Sequence, residues 1–162
     1  MQQDISRRVA ALQGLAFHSL KPLLSWREDF QINEPSIDGQ HEAIFEMALE
    51  ATELAQERTD RDGLIELFER FGRALEGHFR YEEEMLQRIG YPDLEDHRAQ
   101  HRAMLSEHAF VRQRLASDGV DWPFQDQALI VLNFMLGVTI GHILRGDVSY
   151  AQYLQQETAA DG

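Results

Sequence analysis

The spacing of the histidines constrains the fold of this chain more than any other feature of the sequence. Five of the seven histidines and two acids form the set His41, His78-x3-Glu82, His97-x3-His101 and His142-x4-Asp147. Residues four apart lie on one face of an α-helix, so two of these pairs each present both side chains to one side. Five neutral nitrogen donors and two carboxylates that converge are a ligand set for two metal ions. The sequence therefore predicts helices that surround a two-metal site.

Composition limits the remaining choices. The chain has 162 residues, of which 43% are hydrophobic and 27% are charged, as in one soluble globular domain. It contains no cysteine, which excludes disulfides and thiolate metal sites, so a metal must be held by imidazole and carboxylate groups. The formal net charge of −13 argues against nucleic acid and against anionic membranes as partners, because both repel an acidic surface.

We expect neither a signal peptide nor a membrane-spanning segment in this sequence. The first residues, MQQDISRRVAAL, lack the long apolar region of a signal peptide. Residues 128–144 are mostly apolar, but they include Asn133, Thr139 and His142, and they are fewer than the ~20 residues that a bilayer requires. We therefore expect a cytoplasmic protein in which this region is a buried core helix.

Helical periodicity extends over most of the chain, and proline and glycine residues mark the breaks. The first predicted helix begins at Ser36 or Asp38 and ends near residue 58, and residues 60–63 form the break that follows it. Further helices are predicted over residues 64–89, 94–116 and 122–145, with a short one over 148–156. Long helices with short connections predict an all-α fold, an antiparallel up-down-up-down four-helix bundle with a short C-terminal arm.

Residues 1–25 are expected to form an N-terminal extension, with the bundle domain over residues 26–157. An amphipathic helix in the extension is predicted by its apolar residues, Ile5, Val9, Leu12, Leu15 and Leu20. This helix is expected to end near Pro22 and to pack on the bundle or on a second copy of the chain. A linker that transmits a signal to another protein is the alternative.

The pair His142 and Asp147 does not fit a straight helix. Five residues correspond to about 500° of rotation, which leaves Asp147 about 140° away from His142. The two can share a site only if the helix ends or bulges between them. Gly146 stands immediately before the acid and eases such a departure.

The number and type of the ligands predict how the metals are held. Two carboxylates can bridge two cations, and five imidazoles then divide three and two. With a solvent-derived bridge, one metal has six ligands and the other has five, which leaves one position for a small external ligand. Imidazole with carboxylate suits iron, whereas affinity alone favours copper or zinc, so these residues leave the identity of the metal open.

Four stretches of sequence carry a resemblance to a known family. They are Trp26 followed by IDGQH ending at His41, HFRYEEEML from His78, YPDLEDHRAQH ending at His101, and HILRGDVSYAQYL from His142. The chain resembles the hemerythrins, in particular the bacterial group called bacteriohemerythrins, from about residue 25 to residue 154. Every ligand position of the family motif is filled.

The resemblance implies reversible O2 binding at a non-haem di-iron centre, as in an oxygen carrier or store. The irons would be bridged by an oxo or hydroxo group and by two carboxylates, Glu82 and Asp147. The six-coordinate iron would be held by His97, His101 and His142. The five-coordinate iron, where O2 binds, would be held by His41 and His78.

The resemblance also implies an O2 pocket formed by Ile44, Phe79, Val138, Thr139 and Ile143. At Val138 and Thr139 the family commonly has Trp and Leu, so this chain is expected to have a larger pocket. The Thr139 hydroxyl either donates to bound oxygen or bonds to the backbone one turn back. The first alternative predicts a centre that oxidises faster, or that handles peroxide or nitric oxide more readily, than typical carriers.

Other uses of the same centre stay open. One alternative is a sensor of O2 or redox state that signals to a partner protein, and others are a peroxidase or NO-handling di-iron enzyme and a structural bundle filled by zinc. We expect O2 binding rather than enzymatic turnover, and a monomer or a small homo-oligomer. His18 and His108 are expected to be non-ligand residues, and Glu83 and Glu84 to form a solvated helix face.

Overall fold

The computed structural model describes residues 17–57 and 60–160, and no strand occurs among them. Six α-helices in this part of the chain have the bounds α1 Phe17–Leu24, α2 Pro35–Glu57, α3 Arg61–Arg88, α4 Leu94–Ser117, α5 Phe124–Leu136 and α6 Val148–Ala160. Between α5 and α6 the helix continues as a π-helical segment, Gly137–Ile143, and a single turn, Leu144–Gly146. The predicted all-α bundle is confirmed, whereas the up-down order of its helices stays a prediction.

The long helices share one apolar interior. α2 contacts α3 and α5, and α4 contacts the same two helices. Aromatic side chains such as Phe45, Phe68 and Phe71 fill the main core. A second apolar cluster contains Ile37 from the start of α2 and Leu86 from the end of α3. The predicted ligands on α2 and α3 lie between these two clusters in sequence, so apolar packing surrounds them on both sides.

α2 begins at Pro35, ahead of its predicted start. The side chain of Glu34 accepts the N–H of Ile37 at 2.6 Å, so it caps the first turn. Asp38, one of the two predicted caps, instead accepts the N–H of Ile32 at 2.8 Å and fastens the preceding loop to the helix. Proline suits the first helical turn because the N–H that it lacks would have no partner there.

α3 also begins earlier than predicted, at Arg61. The carboxylate of Asp60 accepts the N–H of Gly63 at 2.8 Å, which satisfies one of the free donors of the first turn. Residues 61–63 therefore belong to the helix, and only the region around Asp60 forms the break. The glycine was mistaken for a break because its position in the first turn was not apparent from the sequence.

α1 packs against the bundle. Leu20 and Leu24 are only 3% and 1% exposed and belong to the main core. The helix ends at Leu24, close to the predicted end at Pro22. Residues 1–16, which carry most of the predicted amphipathic helix, lie outside the described residues. The division of the chain at residue 25 stays a prediction.

Among the described residues, one helical stretch, Phe124–Glu157, is long and apolar enough to cross a membrane by length and composition. However, 56% of its most apolar window is buried inside the fold. This burial agrees with the prediction that residues 128–144 form a core helix of the bundle.

Candidate metal centre

All seven predicted ligands come together inside the bundle. They form two groups that share Glu82, and the other members are His97, His101 and His142 in one group and His41, His78 and Asp147 in the other. Within each group the potential ligand atoms lie within 4.8 Å of one another. All seven side chains are between 0% and 5% exposed. The grouping agrees with three histidines for one metal and two for the other.

Glu82 lies between the two groups. Its Oε2 atom is 2.8 Å from Nε2 of His97 and 3.0 Å from Nε2 of His101. Its Oε1 atom is on the other side, 3.8 Å from Nε2 of His78. One oxygen therefore faces the three-histidine group and the other faces the two-histidine group, which is the orientation of a bridging carboxylate.

Asp147 is placed in the same way. Its Oδ2 atom lies 3.2 Å from Nε2 of His41. Its Oδ1 atom lies 3.4 Å from Nε2 of His142 and 3.7 Å from Nε2 of His97. The second acid thus also presents one oxygen to each group.

The π-helical segment Gly137–Ile143 explains how His142 and Asp147 share the site. In a π-helix the hydrogen bonds join residues five apart, so each turn is wider than in an α-helix. The N–H of Asp147 donates to the carbonyl of His142 at 3.2 Å, which extends this five-residue spacing to the acid. The predicted bulge between His142 and Asp147 is confirmed. The π-helical segment itself begins earlier, at Gly137.

Gly146 has a different role from the predicted one. Among the described glycines only Gly90 has a positive φ, so Gly146 is not needed for an unusual backbone conformation. A Cβ atom at Gly146 would lie 3.2 Å from Nδ1 of His142 and 3.7 Å from Oε1 of Gln100. The absence of a side chain makes room for the imidazole of the ligand.

Burial keeps three of the ligand histidines neutral. Desolvation is the largest cause that lowers the pKa of His41 to about 4, and it lowers the pKa values of His78 and His142 to about 3. Metal ions bind the neutral form of imidazole. These three imidazoles can therefore bind cations without first releasing a proton at neutral pH.

The pKa values of the two carboxylates shift in opposite directions. Burial raises the pKa of Glu82, but hydrogen bonds from His101 and His97 outweigh burial and hold that pKa well below its usual value. Burial, and then the negative charge of Glu82, raise the pKa of Asp147 well above its usual value. Two acids buried so close together disfavour each other's ionisation, and cations between them would relieve this repulsion.

Five buried atoms at the centre have no hydrogen-bond partner within the described part of the chain. They are both ring nitrogens of His41, Nε2 of His78 and both carboxylate oxygens of Asp147. A buried polar atom without a partner costs about 1–3 kcal/mol, so several in one place require an explanation. Imidazole and carboxylate donors are ligands of iron, copper and zinc, and metal ions would satisfy Nε2 of His41, Nε2 of His78 and the oxygens of Asp147. The residues therefore fit a two-metal centre.

Two ligand histidines are oriented by side chains that contact Nδ1, the ring nitrogen that faces away from the centre. Nδ1 of His78 lies 2.8 Å from Oε1 of Gln40, and Nδ1 of His101 lies 2.7 Å from Oε1 of Glu83. Both partners are acceptors, so each imidazole would donate its Nδ1 proton to them when its Nε2 binds a metal, as is usual for metal-binding histidines.

Tyr150 supports the bridging acid. Its side chain is fully buried, and its hydroxyl donates a hydrogen bond to Oε1 of Glu82. Burial, followed by the charges of Glu82 and Asp147, raises the pKa of Tyr150 well above its usual value, so the hydroxyl stays protonated. α6 is thereby attached to the centre.

Three residues that support the centre were not predicted from the sequence: Gln40, Glu83 and Tyr150. The expectation of a solvated face fits Glu84, which is exposed, but is wrong for Glu83, which is 26% exposed and bonded to His101. A partial signal was present, because Gln40 and Glu83 are immediate neighbours of predicted ligands. Their function depends on contacts between helices, which the spacing along one helix does not reveal.

The residues predicted to form an O2 pocket are buried, and four of the five are apolar. Ile44, Phe79, Val138, Thr139 and Ile143 are all between 0% and 3% exposed. The ring of Phe79 stacks on the imidazole of His101, with 3.8 Å between the ring centroids. The Thr139 hydroxyl donates to the carbonyl of Met135 at 2.8 Å, which supports the backbone alternative for this residue.

Of the two histidines outside the pattern, His108 does not join the cluster. Nε2 of His108 lies 2.8 Å from the carbonyl of Phe68, and the ring packs against the phenyl group of that residue. A Cβ atom at Gly72 would overlap the imidazole of His108, so the ring packs directly against α3 where Gly72 has no side chain. His108 is thus a core residue with a satisfied hydrogen bond. The side chain of His18 lies outside the described residues.

Comparison with known proteins agrees with this centre. The sequence profile of the Hemerythrin HHE cation binding domain matches residues 35–126. Bacteriohemerythrin of Stenotrophomonas maltophilia (strain R551-3) is 30% identical over 133 residues, which cover 82% of each chain. Bacteriohemerythrin of Clostridium acetobutylicum is 25% identical over 128 residues, which cover 77% of this chain and 96% of the relative. No solved structure gives a significant match. The chain belongs to the hemerythrin family of cation-binding domains.

Proposed function

We propose that this protein binds O2 reversibly at a non-haem di-iron centre and serves as an oxygen carrier or store in the cytoplasm. The observation that carries the proposal is the placement of the two acids. Glu82 and Asp147 each direct one oxygen toward the three-histidine group and the other toward the two-histidine group. This arrangement suits two cations held side by side. The family relationship and the names of the two relatives support iron and oxygen as the metal and the ligand.

The division of the ligands assigns a role to each residue. One iron would be held by His97, His101 and His142, the other by His41 and His78, and both would be bridged by Glu82 and Asp147. A pair of ferrous ions supplies the two electrons that reversible O2 binding requires. The two-histidine side has one protein ligand fewer, which leaves room there for a small ligand.

The surroundings of the centre favour binding over turnover. Ile44, Phe79 and Ile143 are between 1% and 3% exposed, and such side chains keep out the water that promotes irreversible oxidation. Two buried hydroxyl groups beside the centre are already engaged, Tyr150 with Glu82 and Thr139 with a backbone carbonyl. Proton delivery to a bound molecule by these groups would first require them to break their present hydrogen bonds.

A spectroscopic cycle tests the proposal. Metal-free protein is loaded with ferrous iron under anaerobic conditions, exposed to O2 and then placed under vacuum, while zinc-loaded protein serves as the colourless control. We expect a visible band that appears with O2, disappears under vacuum and returns in the next cycle. Irreversible bleaching, or steady consumption of peroxide or nitric oxide with a reductant, would point to an enzyme instead. The absence of any iron-dependent band would refute the proposal.

A further inference from the structure

The two halves of the centre differ in the group that faces Nδ1 of a ligand histidine. Nδ1 of His101 faces Oε1 of Glu83 at 2.7 Å, and Nδ1 of His78 faces Oε1 of Gln40 at 2.8 Å. The two hydrogen bonds are almost equal in length, but the acceptor is a carboxylate in the first and a neutral amide in the second. A charged acceptor draws the Nδ1 proton more strongly and makes Nε2 a better electron donor. The three-histidine half is therefore the more electron-rich of the two.

The Glu83 carboxylate forms an ion pair with the side chain of Arg98. Its Oε2 atom lies 3.5 Å from Nε of Arg98. The guanidinium of Arg98 also donates to Glu95 at 2.7 Å and to Gln87 at 2.8 Å. Glu83 and Gln87 belong to α3, whereas Glu95 and Arg98 belong to α4, so the guanidinium is fixed between the two helices. It keeps the Glu83 carboxylate turned toward His101.

The effect of Glu83 is expected to be substantial but not large. The carboxylate is 26% exposed, so solvent screens part of its charge. His101 is 1% exposed, and the hydrogen bond to it is short, so the charge acts on the ligand mainly through this bond. Loss of such a partner behind a metal ligand typically weakens metal binding by about 10-fold to 100-fold.

We propose that Glu83 is a positioning residue that makes the three-histidine half the tighter and first-filled metal position and lowers the reduction potential of the metal there. Arg98 contributes by orienting Glu83. This inference rests on the proposed di-iron centre. It adds an order of filling and an asymmetry in redox behaviour, which the ligands alone do not specify.

The substitution Glu83→Gln tests this role directly. It removes the charge but keeps an amide oxygen, which reproduces at His101 the environment of His78. The matched control is Glu84→Gln, which makes the same change in net charge at an exposed neighbour. Gln40→Glu is the reciprocal variant, because it places a carboxylate behind His78. Circular dichroism of the metal-free proteins checks that each variant folds.

Anaerobic titration with ferrous iron in competition with a chromophoric chelator gives the two binding constants of each protein. Glu83→Gln is expected to weaken the tighter constant by about 10-fold to 100-fold and to leave the other unchanged. Glu84→Gln should leave both binding constants unchanged. Gln40→Glu should strengthen binding at the weaker position and so reduce the difference between the two constants. If Glu83→Gln gives the same two constants as Glu84→Gln, or if wild-type protein binds both ions equally, the proposal is wrong.

The reduction potential separates a positioning role from a merely structural one. Potentiometric titration of iron-loaded protein should show a higher potential in Glu83→Gln than in Glu84→Gln. A structural contribution of Glu83 would lower the stability of the metal-free protein and leave the potential unchanged, which would overturn the proposal. Failure of wild-type protein to bind two iron ions would instead refute the proposed di-iron function.

Discussion

The hydroxyl of Tyr150 donates a hydrogen bond to Oε1 of Glu82 in an interior where both side chains are fully buried. The same oxygen faces His78, so the tyrosine holds the bridging acid from the side of the two-histidine group. Tyr150 lies in α6, after the π-helical segment and Asp147. The last helix is therefore part of the support of the centre.

The substitution Tyr150→Phe is expected to destabilise the metal-free protein. It removes a hydrogen bond to a charged acceptor and preserves the packing of the ring, so the free energy of unfolding should fall by about 1.5–3 kcal/mol. Urea denaturation measures the change. Tyr153→Phe is the matched control, because the hydroxyl of Tyr153 lies 3.4 Å and 3.5 Å from two backbone carbonyls, distances at which hydrogen bonds are weak. Equal losses in the two variants would contradict the role assigned to Tyr150.

The substitution Gly146→Ala is expected to weaken iron binding. The new methyl group would lie 3.2 Å from Nδ1 of His142 and would push the ligand out of position. We expect a loss of about tenfold in affinity, the lower end of the effects seen next to metal ligands. Gly141→Ala is the control, because a Cβ atom there meets nothing within 4 Å. Ferrous titrations that give the same affinity for both variants would show that His142 does not need the space.

The metal-free protein is expected to lose stability on acidification. Burial lowers the pKa of His41 to about 4 and those of His78 and His142 to about 3, from 6.5 in the unfolded chain. Below pH 6.5 the unfolded chain therefore binds protons that the folded protein does not. The free energy of unfolding should fall as the pH decreases through this window, by about 1.4 kcal/mol per pH unit for each histidine that stays neutral.

Asp147 opposes this trend, because its raised pKa favours the folded state at low pH, but it is one group against three histidines. Urea denaturation of metal-free protein at a series of pH values measures the slope. A free energy of unfolding that stays constant or increases between pH 6.5 and pH 4 would contradict the neutral state assigned to these imidazoles.

The substitution Thr139→Val should leave the oxidation rate of the iron-loaded protein unchanged. The Thr139 hydroxyl donates its hydrogen bond to the carbonyl of Met135, so removal of the hydroxyl takes no hydrogen-bond donor from the O2 site. Valine preserves the shape of the side chain. The rate is followed by the decay of the oxygen-dependent band in air. A rate that changes several-fold would show that the hydroxyl acts on the bound ligand. Thr139→Leu, which also changes the volume, provides the comparison with an added apolar group.

The ligand set could be predicted from the sequence because it depends on local geometry. The pairs His78–Glu82 and His97–His101 share a helix face whatever the neighbouring helices do. The spacing of His142 and Asp147 predicted a bulge, because no straight helix could bring both to one site. The end of α3 was predicted from the glycine that follows residue 89, and in the structure Gly90 has a φ of 68°, a conformation that favours glycine.

The remaining features depend on how the helices pack. The contact of Glu83 with His101 joins α3 to α4, and that of Gln40 with His78 joins α2 to α3. Neither partner has a spacing that distinguishes it from a surface residue. The helix starts were misplaced for a related reason, because the capping functions of Glu34 and Asp60 depend on loop conformations that the periodicity does not specify.

In the proposed function, one chain holds two irons that bind one O2 molecule reversibly. Metal-free protein is titrated anaerobically with ferrous iron, freed of excess metal, and exposed to measured amounts of O2 in a closed cell. We expect two irons per chain, uptake of one O2 per pair of irons, and recovery of that O2 under vacuum. Binding of one iron per chain, or uptake of O2 that vacuum does not return, would contradict the proposed function.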